Sequence, residues 1–147
     1  MFMWIFITVV LVLAVVAMRI SWRFGARIEY DMAKVRSSPA AGTEHANLPP
    51  LVVKYGSRTG LVARQGMRWF RIRQQGELRI RPGQKWKPFA ATQLFAVSQP
   101  GFVWRANLKA INVVDSLVTG RGRLEARVFG VIPVATASGA ETTRAQL

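Results

Sequence analysis

The first eighteen residues, Met1 to Met18, read MFMWIFITVVLVLAVVAM without one charge, and Arg19 ends the run. Eighteen residues at about 1.5 Å each make roughly 27 Å of helix, close to the ~30 Å hydrocarbon thickness of a bilayer. Trp4 and Trp22 are placed to meet the two interfaces. A cleaved signal peptide would carry a basic start and a small-x-small cleavage site. Here nothing basic precedes the run, and Ala14 and Ala17 are spaced three apart rather than two, so the segment reads as a retained anchor. Arginine and lysine gather only after it (Arg19, Arg23, Arg27, Lys34, Arg36), a bias that favours a cytoplasmic domain.

Trp22 to Arg36 has a helical pattern that gives way to Ser37-Ser38-Pro39-Ala40-Ala41-Gly42-Thr43, a linker by composition. Asn47 is placed to cap a short helix starting near Pro49 and Pro50. Leu51, Val52 and Tyr55 would face the domain, and Gly56 would stop the helix.

Beyond Arg64 the hydrophobic period changes to two. The pattern predicts a hairpin from Arg68 to Arg81 with Gln74-Gln75-Gly76 as a three-residue turn. In that register Phe70, Ile72, Leu78 and Ile80 share one face, and Trp69, Arg71, Arg73, Glu77, Arg79 and Arg81 the other. Pro82-Gly83 turns the chain, Pro88 to Gln99 reads as a helix or irregular crossover, and Pro100-Gly101 is a break. Phe102 to Lys109 alternates Phe102, Trp104, Ala106 and Leu108 against Val103, Arg105, Asn107 and Lys109. A strand from Val113 to Thr119 turns at Gly120-Arg121-Gly122 into another from Arg123 to Val128, which sets Asp115 opposite Arg127. Pro133 ends the strand series, and Ser138 is placed to cap a C-terminal helix with Glu141 at its third position. The fold class expected is an N-terminal transmembrane helix plus an α+β domain dominated by an antiparallel β-meander. Its divisions are an anchor at 1–20, a juxtamembrane helix and linker at 21–47, and a β-rich domain at 48–147.

Composition narrows the chemistry. The 147 residues hold no cysteine, one histidine (His45) and seven acidic residues. Disulfides, thiolate metal sites and cysteine nucleophiles are excluded, and a zinc site lacks ligands. No pairing of carboxylates or of serine with histidine marks acid–base or nucleophilic catalysis. Asp115 and Glu125 read as surface ion-pair partners, and Gly120-x-Gly122 is too short for a dinucleotide loop. No cofactor is expected.

The net charge is +14, all of it carried after Met18. Between Arg58 and Lys87 the basic residues Arg58, Arg64, Arg68, Arg71, Arg73, Arg79, Arg81, Lys85 and Lys87 face Glu77 alone. Such clustering points to an anionic partner. For a tethered domain the nearest anions are lipid headgroups, at about 1 kcal/mol per basic residue near the surface. The candidate anionic-ligand patch is therefore Trp69, Arg71, Arg73, Arg79 and Arg81, with nucleic acid the lesser alternative, as no RNA-binding signature is present. An apolar face of Phe70, Ile72, Ile80, Phe102, Trp104 and Leu108 reads first as a filled core, and second as the lining of an apolar-ligand site between sheet and helix.

Trp86, Phe89, Ala91 and Gln93, then Pro100-Gly101-Phe102-Val103-Trp104-x-Ala106, resemble an uncharacterised bacterial family, domain of unknown function 6544. The similarity continues through Asp115, Val118, Gly120-x-Gly122, Gly130 and Pro133-Val134-Ala135, and Leu48-Pro49-Pro50 opening a helix fits it. The family pattern runs on through more helix and further strands, so the resemblance implies an N-terminal portion of the domain and a bacterial inner-membrane protein. It implies no activity. The expectation is a single-pass, non-enzymatic module at the membrane, engaging anionic lipid or holding an apolar ligand. The competing expectation is part of an enzyme whose active site lies in a further C-terminal half.

Overall fold

A computed structural model of the chain describes residues 2–40, 49–58, 66–79 and 82–146. One long helix, α1 (Phe2–Arg36), is followed by the short α2 (Pro50–Arg58) and six strands, β1 (Trp69–Leu78), β2 (Lys87–Ala96), β3 (Phe102–Leu108), β4 (Ile111–Val118), β5 (Arg121–Val128) and β6 (Ile132–Ser138). A last helix, α3 (Ala140–Gln146), ends the described chain. All strands pair antiparallel in sequence order, so the expected α+β fold built on a β-meander is what the chain adopts.

The 35 residues of α1 form one uninterrupted helix with two different surroundings. Its apolar first half is unburied, and by length and composition it is long enough to cross a membrane. Its second half places Phe24, Ile28, Met32 and Val35 on one stripe, at the three- and four-residue spacing that aligns side chains on a helix. This stripe packs on Leu94, Val103 and Val114, each at most 1 % exposed, from three adjacent strands. Burying each of these side chains contributes about 1.5–3 kcal/mol. Ion pairs fix the helix in register: buried Glu125 takes both Arg27 and Arg127, and Asp31 takes Arg123 at 2.5 Å. α1 thus runs diagonally, from the β5–β6 turn beside Phe24 to the β2–β3 loop, where Ser98 Oγ donates to the Pro39 carbonyl.

Several local expectations are corrected. Residues 69–78 form one ten-residue strand, not two arms of a hairpin, and pair with 87–96 in the register Trp69↔Ala96 to Leu78↔Lys87. Gly76 therefore serves not as a turn but as a close-approach position: a Cβ there would stand 3.3 Å from the Phe89 ring. Pro88 to Gln99, expected as helix or crossover, is mostly the central strand β2. Pro88 is tolerated near its start because pairing with β3 begins only at Ala90.

The β4–β5 turn is the two-residue Thr119-Gly120, with φ of 50° and 72°, as a tight hairpin with positive φ at both central residues requires. That shift sets Asp115 opposite Leu124 rather than Arg127 and sends Asp115 and Glu125 to opposite faces. Pro133 does not end the strands but lies inside β6, an edge strand with a register shift beside it, where a missing N–H is harmless. Gly139 rather than Ser138 precedes the last helix, its carbonyl accepting from the Thr143 N–H. In α2, Leu51, Val52 and Tyr55 are exposed rather than facing the sheet, and the helix runs past Gly56 to Arg58. The expected cap at Asn47, residues 41–43 of the expected 37–43 linker, Arg64, Ile80 and Arg81 lie outside the described residues.

Two substitutions probe this packing. Leu94→Ala is expected to lower unfolding stability by about 2–5 kcal/mol in denaturant titrations of the solubilised chain. At Gly122 a Cβ would come within 2.7 Å of the Thr143 backbone. Gly122→Ala should therefore lift α3 from the sheet, seen as faster amide exchange at 140–146 with the strands still protected.

Candidate anion-binding groove and the opposite apolar face

Side chains alternate across a sheet, so the register assigns every strand residue to the α1 face or the open face. On the α1 face, Trp69, Arg71 and Arg73 of β1 project beside the last turns of the helix. Arg73, Thr92 and Arg105 lie in one cross-strand row. With Arg36 at the end of α1 they line a groove of about 420 Å³, floored by Ala90, Thr92 and Asn107. The arginines come from three elements: Arg36 from α1, Arg71 and Arg73 from β1, Arg105 from β3.

The charges in this groove are unevenly balanced. Arg105 stands 3.6 Å from Glu29, both about half exposed, an exposed pair of the kind that contributes about 0–1 kcal/mol. Arg36 lies over the Trp69 ring at 6.0 Å. Among the described residues no carboxylate comes within ion-pair distance of Arg36, Arg71 or Arg73. Strands two apart in a sheet are about 10 Å apart, so Arg73 and Arg105 are spaced for both guanidinium groups to reach one anion.

The expected patch is thus divided by the structure. Trp69, Arg71 and Arg73 lie together on the α1 face, whereas Arg79 follows the far end of the same strand and stacks over Trp86 at 5.1 Å. Arg71 is opposite Leu94, not Arg79, so the expected like-charge repulsion across a hairpin does not arise. Arg36 and Arg105 were missed. Arg105 had a signal, since Val103, Arg105 and Asn107 alternate against Phe102, Trp104 and Ala106. Arg36 had none, because its place depends on where α1 lands.

Of the expected apolar set, Phe70, Ile72, Phe102, Trp104 and Leu108 share the open face, away from α1. They do not lie between sheet and α1, where the core is filled by the helix itself. Phe70 stacks on Phe95 at 5.0 Å, and Phe95 meets Phe102 at 6.1 Å. Trp104 Nε1–H donates to Gln74 Oε1 at 2.7 Å, which satisfies the indole. Leu108 and Ala106 are buried in a small cluster, but Phe70 and Ile72 remain 41 % and 38 % exposed.

Glu125 and Asp115 are both engaged by other side chains of the fold. Glu125, expected in a surface ion pair, is buried between Arg27 and Arg127. Asp115, on the open face, accepts from the Gln146 amide of α3. Burial pushes its carboxyl above the ordinary value, partly offset by the hydrogen bonds from Gln146 and the Ser116 backbone. A model of the Family of unknown function (DUF6544) matches residues 39–147, a span that holds the whole sheet and leaves α1 outside it. No curated protein and no solved structure matches the chain.

Because its pKa is raised, the ionised Asp115 destabilises the folded state at neutral pH, and protonation relieves this as pH falls through the raised value. Asp115→Asn keeps an oxygen acceptor for Gln146 and removes the charge. The variant should melt above wild type at pH 7, with the gap closing in acid below the raised value, as read by thermal unfolding across pH.

Proposed function

The chain belongs to DUF6544, a family of unknown function, and on that premise we propose a membrane-anchored, non-enzymatic module that binds a phosphate-bearing anion in its arginine groove. The observation that carries this reading is the convergence of Arg36, Arg71, Arg73 and Arg105 on one groove where, among the described residues, Glu29 is the only carboxylate paired with any of them. Guanidinium groups fork onto phosphate oxygens, and a charge-assisted contact of this kind contributes about 1.5–3 kcal/mol.

The anchor is the apolar half of α1, retained, in the inner membrane of a bacterium, with the domain on the side its flanking arginines favour, the cytoplasm. The anion proposed is a phosphate-bearing lipid headgroup. Glu29, beside the groove, lies about 16 Å along α1 from Met18, which favours a headgroup that projects from the bilayer or a lipid lifted from it. A second reading, an apolar ligand on the open face, is favoured by the exposed Phe70 and Ile72 beside the Phe95–Phe102 row.

The test uses the full chain in phosphatidylcholine nanodiscs, titrated calorimetrically with a short-chain phosphatidic acid, inorganic phosphate, a single-stranded oligonucleotide and a fatty acid. Binding of the phosphatidic acid, weakened by added salt and about tenfold or more by Arg71→Ala with Arg73→Ala and Arg105→Ala, is the expected result. Inorganic phosphate binding equally well would assign the groove to a soluble anion. Equal binding by the triple variant would overturn the groove, and fatty-acid binding indifferent to it would favour the open face.

A further inference from the structure

The apolar half of α1 leaves the domain at one corner, and that corner has a surface of its own. The β5–β6 turn packs directly on the helix there: a Cβ on Gly130 would stand 3.0 Å from Ser21 Oγ and 3.7 Å from the Phe24 ring. Ser21 is three residues beyond Met18, about 5 Å of helix, so the turn lies level with the end of the apolar segment.

At its tip Phe129 is 70 % exposed, and Ile132 behind it is 59 % exposed. Phe129 also holds a φ of 51°, a left-handed conformation unfavourable for a bulky side chain. It is held there by its N–H, which donates to the Ala110 carbonyl of the β3–β4 turn at 2.7 Å. The fold therefore accepts a strained backbone while directing a large aromatic side chain away from the core. The same stretch of α1 that meets the turn carries Trp22, 72 % exposed, with Arg19 and Arg23, and Lys109 precedes Ala110 on the adjoining turn. Exposed aromatic and apolar side chains together with basic residues, at the end of an apolar helix, are the composition of a membrane interface.

We infer that the β5–β6 turn dips into the bilayer interface beside α1, with Phe129 and Ile132 as its inserted side chains. The domain then rests on the membrane at two points, the helix and the turn, and its orientation is held rather than left to swing about the anchor. This inference rests on the reading of α1 as a membrane-spanning segment, and the experiment separates the two.

The chain contains no cysteine, so single cysteines can be introduced and labelled cleanly. Val10→Cys reports the middle of the apolar segment, Phe129→Cys and Ile132→Cys the turn. Thr119→Cys, at the opposite end of the sheet with a matching φ of 50°, is the control. Each full-length variant is labelled with nitrobenzoxadiazole and reconstituted in vesicles of phosphatidylcholine and phosphatidylglycerol containing nitroxide-bearing lipid. The expected result is blue-shifted emission quenched by lipid nitroxide at positions 10, 129 and 132, with aqueous, unquenched emission at 119.

If position 10 is quenched while 129 and 132 behave like 119, the turn stays in water and the inference fails with the anchor intact. If 129 and 132 are shielded from water yet unquenched by lipid, a protein contact covers them, and the inference fails equally. An aqueous position 10 would overturn the membrane reading and the inference with it.

Discussion

The seating of α1 across the sheet is the interaction on which the rest depends. A six-stranded antiparallel meander has two faces, and an apolar face left in water would not support a stable fold. The stripe Phe24, Ile28, Met32, Val35 closes one of them against Leu94, Val103 and Val114. Its ion pairs, Arg27 to Glu125 and Asp31 to Arg123, add register more than energy, since charges taken from water give back in desolvation much of what they gain by pairing. Truncating Glu125 would leave the mostly buried Arg127 without its carboxylate, which is why such contacts specify position sharply.

From this seating the functional geometry follows. The apolar half of the same helix points out beyond the β5–β6 turn, so whatever holds that half also orients the sheet. The diagonal of α1 leaves part of the β1–β3 surface uncovered beside its last turns, and this is where the arginines collect. The groove is thus a consequence of a crossing angle, lined by residues far apart in the chain.

The open face is served more lightly. α3 covers its β4–β6 side through Thr143 over Gly122 and Gln146 onto Asp115. Toward β1 the aromatic row Phe70, Phe95, Phe102, stacked at its first contact and tilted at its second, runs across three strands and stays partly wet. Stacking of this kind contributes about 0.5–1.5 kcal/mol per pair beyond area burial, enough to order the row without hiding it. The polar chain from Trp104 through Gln74 to Gln93 satisfies the half-buried indole.

Residue pattern by itself determined the element types that depend on local periodicity. The uncharged run to Met18, the alternation from Phe102 to Leu108 and the strands on either side of Gly120 were all legible, because a helix or strand face repeats at a fixed spacing. It determined too that Trp69, Arg71 and Arg73 share a face, which holds for any straight strand. Pairing was beyond it. Gly76 is permissive enough for a turn or a strand, and only the Phe89 ring across the sheet decided for the strand. Pro88 and Pro133 looked like breaks because a missing N–H matters only where a neighbour needs it, and the neighbour is known only in the sheet. The turn at Thr119-Gly120 rather than Gly120-Arg121-Gly122 moved Asp115 to another face, since register has period two and no local residue counts it. Tertiary structure alone decided that Arg36 and Arg105 join Arg71 and Arg73 while Arg79 does not. Side-chain convergence depends on where whole elements land, and that is set by the long-range burial of α1.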